Sequence, residues 1–294
     1  MKILITGVQG QLGKELMKQL KELKEKYEVI GTTRETLDIT DKEKIDVYME
    51  DLKPDIIVNC AAYTAVDAAE EQESIAYAVN VQGPKYLAQA CEKLGAKLIY
   101  ISTDYVFDGN EVAYKNEEDG VNPQNVYGQT KYEGEEAVRT YCTRHFILRT
   151  AWLYGEGHNF VRTMLQLAQK NQEINVVADQ FGTPTSTKDL ARVILALMQT
   201  EAYGTYHATC EGACSWYELA CEIFKLKELD VKVNPVTSET FARPAKRPFY
   251  SVLENANLKQ LGLNTFRPWQ EALADYLESD TVWQQENLGG QANG

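Results

Sequence analysis

This chain carries little that suits metal or export chemistry. It has three histidines in 294 residues, His145, His158 and His207. None stands at ligand spacing to another, so neither a His-built metal centre nor a histidine catalyst is expected. The six cysteines (Cys60, Cys91, Cys142, Cys210, Cys214, Cys221) contain no C-x-x-C pair. Cys210 and Cys214 lack the accompanying histidine pair that a zinc site would need. No stretch approaches eighteen consecutive apolar residues, so no transmembrane helix is expected. Basic residues are in deficit: 30 Lys and Arg against 43 Asp and Glu give a net charge of -13. That balance argues against nucleic acid or an anionic membrane as the main partner. It does not bar an anionic nucleotide, which backbone dipoles and a few cations can hold locally. A strand pattern follows Met1 directly, leaving no room for an export signal. The thiols are therefore expected to be reduced and the protein cytoplasmic. The apolar fraction of 44% and charged fraction of 25% are ordinary for a globular protein. The length allows a cofactor domain plus a smaller lobe.

The first residues present a glycine pattern. Lys2 to Thr6 reads as a short buried strand, and Gly7-Val8-Gln9-Gly10-Gln11-Leu12-Gly13 follows as G-x-x-G-x-x-G. Lys14 to Lys26 then reads as a helix, with Leu12, Leu16, Leu20 and Leu23 forming an apolar stripe. Strand, glycines and helix in this order make a dinucleotide fingerprint. The glycines give a tight turn, backbone approach to a pyrophosphate, and close packing of helix on strand. The helix N-terminus offers free N–H groups to phosphates.

A second pattern lies at Tyr127-Gly128-Gln129-Thr130-Lys131. Y-x-x-x-K on a helix puts a phenol and an ammonium on one face. A nearby cation would lower the phenol's pKa and let it exchange a proton near neutral pH. Carbonyl reduction needs such an acid as hydride arrives at carbon. The spacing also occurs on solvated helix faces; the preceding fingerprint gives it weight.

Between these motifs strand and helix patterns alternate. Tyr27–Gly31, Asp55–Cys60, Lys97–Ser102 and Phe146–Arg149 read as strands, and Ser74–Leu94 as helix. The alternation predicts an α/β, Rossmann-type doubly wound parallel sheet. Ligands bind beyond the carboxyl ends of such strands, where Gly7, Ala61, Ala62 and Thr103 fall. Residues 1–150 read as the NAD(P)-binding domain, with about 186–208 returning to it. Residues 151–185 and 209–285 read as a smaller mixed α/β substrate lobe, and 286–294 as a disordered tail. Ser215 and Glu218 are spaced as a capping box opening a helix to Leu226.

Together these pieces resemble the extended short-chain dehydrogenase/reductase family, and within it the sugar-nucleotide reductases, to about residue 280. The resemblance rests on Thr6–Gly13, Asn59–Asp67, Ser102–Gly109, Tyr127–Glu135, Arg149–Gly155, Asp179–Thr185 and Arg243-Pro244. Cys60 departs from the usual small residue but is itself small and apolar in behaviour. The resemblance implies reduction of the 4-keto group of dTDP-4-dehydro-L-rhamnose to dTDP-L-rhamnose, a cell-surface polysaccharide precursor. It implies a catalytic set of Thr103, Tyr127 and Lys131, with Lys131 also bridging the nicotinamide ribose. Cofactor contacts would come from Gly7, Gln9, Gly10, Gln11, Leu12, Gly13, Arg34, Asp38, Ile39, Ala61, Ala62, Tyr63 and Thr64. The dTDP-sugar would meet Thr103, Asp104, Tyr105, Trp152 and Arg243. No metal is assigned, and a homodimer is an allowed assembly.

Cofactor choice rests on Gly31-Thr32-Thr33-Arg34, where NAD-specific sites carry an acidic residue. Arg34 can accept a 2′-phosphate, unless it is an ordinary surface arginine. NADPH is expected, with NADH usable. Two alternatives stay open. One is reduction of another 4-keto-sugar nucleotide. The other is a binding-only role, like that of regulatory subunits of methionine adenosyltransferase. An intact Thr103, Tyr127 and Lys131 set favours the enzyme.

Overall fold

The computed structural model describes residues 1–241 and 243–279. The predicted tail at 286–294 lies outside the described residues. Six strands form the central sheet: β1 Lys2–Thr6, β2 Glu28–Thr32, β3 Ile56–Asn59, β4 Lys97–Thr103, β5 His145–Thr150 and β6 Gly204–His207. Their order is β6-β5-β4-β3-β1-β2, and every pairing is parallel. The chain leaves β1 toward β2 and then crosses to β3, so the strand order reverses at β1. In doubly wound sheets ligands bind at that reversal.

Alternation along each strand sends side chains to both faces. Ile3, Ile5, Ile56, Val58, Ile99, Phe146 and Leu148 join one buried cluster. Leu4, Ile57, Leu98, Tyr100 and Ile147 join another. Both faces are covered, which is why these strands are apolar throughout. The covering helices used below are α1 Gln11–Lys21, α2 Lys42–Leu52, α3 Gly83–Leu94, α4 Val126–Tyr141, α5 Thr187–Leu197 and α6 Trp216–Leu226.

Two elements depart from the sequence reading for physical reasons. Helix α1 begins at Gln11, not Lys14, because Gly13 must pack within its first turn. A Cβ on Gly13 would lie 2.5 Å from the Gly7 carbonyl oxygen. The helix predicted over 74–94 is interrupted by a π-turn at Ala78–Gln82. Buried Asn80 in that turn accepts from Tyr63 N at 2.9 Å and donates to Tyr63 O and Thr130 Oγ1, both at 3.1 Å. It therefore ties the loop after β3 to α4. Such π-turns concentrate at functional sites.

The remaining strands are short and pair away from the main sheet. Glu173–Val177 pairs in parallel with Lys232–Val236 and Leu153–Tyr154 in parallel with Thr185–Ser186, while Phe181–Gly182 pairs antiparallel with Cys214–Ser215. The predicted capping box is present: Glu218 N donates to Ser215 Oγ at 3.1 Å, and Ser215 N donates to Glu218 Oε2 at 2.7 Å. It starts α6 with Trp216 beside the carboxyl ends of the strands. No helix among the described residues is long and apolar enough to cross a membrane.

Candidate active site

A cleft of about 520 Å³ opens at the carboxyl edge of the sheet. The fingerprint reaches it as Gly10, Gln11, Leu12 and Gly13, and the catalytic candidates as Thr103, Tyr127 and Lys131. Residues more than a hundred positions apart thus share one cavity.

At one end is the N-terminus of α1. Gly7 adopts φ +68°, and a Cβ there would lie 2.7 Å from Ala61 N. Only glycine lets the turn close on the loop after β3. Among the described residues no side chain caps α1, and its first turn holds no acid. Its first N–H groups are therefore available to an anion. The Gln11 side chain turns to the segment after β5, accepting from Gly155 N at 2.9 Å and Asn159 Nδ2 at 3.0 Å. Gln9 is exposed and lies outside the cleft lining.

Beyond β3, Ala62 and Thr64 line the cleft, while Ala61 packs over Gly7. Tyr63 lies to the side, its hydroxyl donating to Gln72 Oε1 at 3.1 Å. After β2, exposed Arg34 pairs with Asp38 Oδ2 at 3.3 Å. Asp38 also accepts from Thr40 N and Thr40 Oγ1. The Ile39 side chain is buried in the core under α3, where a Cβ on Gly83 would strike it at 2.6 Å. The Ile39 side chain, expected to meet the adenine, is therefore not at the cleft surface.

Thr103 ends β4, and Tyr127 and Lys131 occupy the first turns of α4. Asn125 starts that helix by accepting from Gly128 N at 2.7 Å. Gly128 permits tight docking, since a Cβ there would sit 2.3 Å from the Tyr105 carbonyl oxygen. The Tyr105 and Tyr127 rings consequently meet edge-on at 5.7 Å. Thr103 Oγ1 donates to Asp104 Oδ1 at 3.0 Å and accepts from Tyr105 N at 3.2 Å.

The electrostatics correct one expectation. Burial pushes the Tyr127 phenol up to about 12; the Thr103 hydroxyl pulls it down and Asp104 pushes it further up. Lys131 does not lower it. Its Nζ donates to Ile101 O at 2.6 Å and lies 4.1 Å from the Tyr100 ring centroid. A buried phenol so far above neutrality is a held proton, which suits a donor. Burial likewise lifts Asp104 to about 6, against the pull of the nearby Ser251 and Thr103 hydroxyls.

On the far wall, Trp152 takes φ +46°, a left-handed conformation that costs a non-glycine residue roughly 1–2 kcal/mol. Its indole stacks on Trp216 with centroids 3.4 Å apart and planes 8° from parallel. Sequence reading missed Trp216; its only local signal is a large aromatic directly after the capping serine. Neither Arg243 nor Arg247 is among the cleft-lining residues. Arg243 is exposed, 3.7 Å from Asp67 Oδ2. Arg247 makes a fork with Asp67 at 3.0 and 2.8 Å and lies beside the Tyr105 side chain.

The cleft fits a polar ligand on its own evidence of unmet bonding. Asn59 Nδ2, Thr150 Oγ1 and Asp104 Oδ2 are buried with no hydrogen-bond partner among the described residues, and all three residues line it. Each such atom left unpaired costs about 1–3 kcal/mol. Among the described residues no group of three or more His, Cys, Asp or Glu side chains is arranged to hold a metal ion.

A doubly wound parallel sheet with fingerprint, strand-end threonine and helical Tyr and Lys in one cleft defines an extended short-chain dehydrogenase/reductase. The family model described as RmlD substrate binding domain matches residues 1–282, and the chain belongs to that family. The spore coat polysaccharide biosynthesis protein SpsK of Bacillus subtilis is 42% identical over 94% of this chain and 97% of its own. A crystal structure of a dTDP-4-dehydrorhamnose reductase from Clostridium acetobutylicum is 52% identical, with a TM-score of 0.93 over 95% of this chain and 99% of that one. The Bacillus anthracis dTDP-4-dehydrorhamnose reductase, crystallised with NADP, is 42% identical, with a TM-score of 0.91 over 94% and 98%.

Proposed function

We propose that this protein reduces the 4-keto group of dTDP-4-dehydro-L-rhamnose with NADPH, giving dTDP-L-rhamnose. The observation that carries the reading is the convergence of Thr103, Tyr127 and Lys131 with the N-terminus of α1 in one cleft. The relatives crystallised as dTDP-4-dehydrorhamnose reductases, one of them with NADP, support the substrate and the cofactor. All six cysteines are free thiols, which suits a cytoplasmic enzyme.

The first turn of α1 would hold the pyrophosphate, Lys131 the ribose hydroxyls, and Arg34 the 2′-phosphate. Bound there, NADPH would supply the hydride for C4. Tyr127 gives its phenolic proton to O4, completing the alcohol. Thr103, beside Tyr127 at the end of β4, holds the phenolic hydroxyl in place next to the ketone oxygen. Asp104 Oδ2 remains to accept from a sugar hydroxyl. The Trp152–Trp216 wall gives the deoxysugar an apolar face to pack on.

NADPH oxidation measured against a panel of 4-keto-sugar nucleotides tests the reading. The highest kcat/KM is expected with dTDP-4-dehydro-L-rhamnose. No turnover with any member would end the reductase reading, and a clear preference for another sugar would replace the substrate. Arg34 gives a separate expectation. Arg34→Ala should weaken NADPH by about 1.5–3 kcal/mol, the worth of an ionic hydrogen bond, and leave NADH nearly unchanged. Fluorescence titration with both dinucleotides checks this; equal weakening would remove Arg34 from the 2′-phosphate.

A further inference from the structure

Lys131 has a difficulty that its proposed role makes acute. Its side chain is almost wholly buried. Burial penalises the ammonium and, even with the Glu135 carboxylate pulling the other way, brings it down to about 7. A neutral amine would lose the charge and one of the three donors that the site needs. The groups around it can be named element by element. From β4 come the Ile101 carbonyl and the Tyr100 ring. After β3 comes the Cys60 thiol, which burial pushes up to about 12 and so keeps neutral. From α4 come Tyr127, one turn back, and Glu135, one turn on. Of these only Glu135 carries a full negative charge.

Glu135 is itself fully buried and fully bonded. Its Oε1 accepts from Ser102 Oγ at 2.5 Å and Arg149 Nε at 2.9 Å. Its Oε2 accepts from Arg149 Nη2 at 2.8 Å and Arg139 Nη2 at 2.7 Å. Burial acts to raise its pKa, yet the Arg149 and Arg139 contacts and the Ser102 hydroxyl hold it below the usual carboxylate value. Stability gives weak reason for burying such a cluster, because apolar replacements of buried ion pairs are often neutral or better. The cluster does place one permanent carboxylate a helical turn from Lys131, on the same face. Ser102, which fixes that carboxylate, directly precedes Thr103.

We propose that Glu135 is a positioning residue of the active site: clamped by Ser102, Arg149 and Arg139, it keeps the buried Lys131 side chain charged and able to donate hydrogen bonds at neutral pH. The inference rests on the reading of Lys131 as the lysine that holds the cofactor. It concerns the nucleotide-free protein and is tested there, so its failure is separable from failure of the reductase assay.

The experiment is an NMR titration of 13Cε-lysine-labelled full-length protein from about pH 5 to about pH 10, spanning the Lys131 transition. The Lys131 signal is assigned with Lys131→Arg. In Glu135→Gln its midpoint should fall by about one pH unit or more, since the buried carboxylate one turn along the helix is lost. Arg139→Ala should move it the other way, because the Glu135 charge is then less neutralised; Arg139→Lys should leave it near the wild-type value. Mere loosening of the core would admit water and raise the midpoint in Glu135→Gln. An unchanged or raised midpoint there overturns the proposal. If Glu135→Gln does not fold, the Arg139 pair decides. A rise in the alanine variant alone supports the role, and no rise, or the same rise in both variants, overturns it.

Discussion

Tyr127→Phe is expected to lose about a hundredfold or more in turnover while binding NADPH as before. The magnitude is that of a general acid removed from its transition state. The substitution deletes one hydroxyl and keeps the ring, so the edge-on contact with Tyr105 survives. The phenol matters because the site holds its proton: burial keeps Tyr127 up at about 12. Few other groups in the cleft can take over. Thr103 has its proton committed to Asp104, and the Lys131 ammonium is turned to the Ile101 carbonyl, 2.6 Å away. Steady-state kinetics and dinucleotide titration on the same preparation separate the two effects. Wild-type turnover in the Phe variant would remove Tyr127 as the acid.

Arg247→Ala is expected to raise the KM for the sugar nucleotide by roughly tenfold to a hundredfold, the worth of a lost ionic hydrogen bond. NADPH affinity should stay put. The substrate diphosphate needs a cation outside the dinucleotide site, and a guanidinium fork matches it. Arg243, the residue favoured from sequence, is 59% exposed at its side chain, against 23% for Arg247. Arg247 also touches Tyr105, which lines the cleft. Arg243→Ala should therefore have the smaller effect. Equal KM values in wild type and both variants would place the diphosphate elsewhere.

Asp67 holds both arginines, Arg247 at 2.8 Å and Arg243 at 3.7 Å, so a substrate phosphate would compete with its carboxylate for them. Asp67 was legible only as part of the Asn59–Asp67 motif; its partners lie about 180 residues away, and no local pattern could show them. The same distance problem hid Trp216. Its stacking on Trp152 depends on how α6 meets the strand ends, while the Ser215–Glu218 box that starts α6 was local and therefore readable. The glycine fingerprint and the Tyr127–Lys131 face were readable for the same reason, since each is a spacing within one turn or one helix.

What sequence reasoning got wrong was the sign of an electrostatic effect. A cation four residues from a phenol suggested a lowered pKa. Burial decided instead, and how deeply a side chain is buried is set by the whole fold. The π-turn at Ala78–Gln82 is similar in kind. Its apolar spacing reads as plain helix, and only the bonds from Asn80 to Tyr63 and Thr130 show why the helix widens there. The strand Lys232–Val236 escaped because Pro235 argues against a strand, and an edge position tolerates it.

The central claim is that this cleft delivers hydride to C4 and the Tyr127 proton to O4 of one dTDP-4-keto sugar. The most direct test is turnover of dTDP-4-dehydro-L-rhamnose with NADPH deuterated at the transferable position, followed by NMR of the product. The account predicts dTDP-L-rhamnose with deuterium at C4 alone and in one configuration. Unlabelled product, label at another carbon, or a mixture of C4 epimers would contradict it.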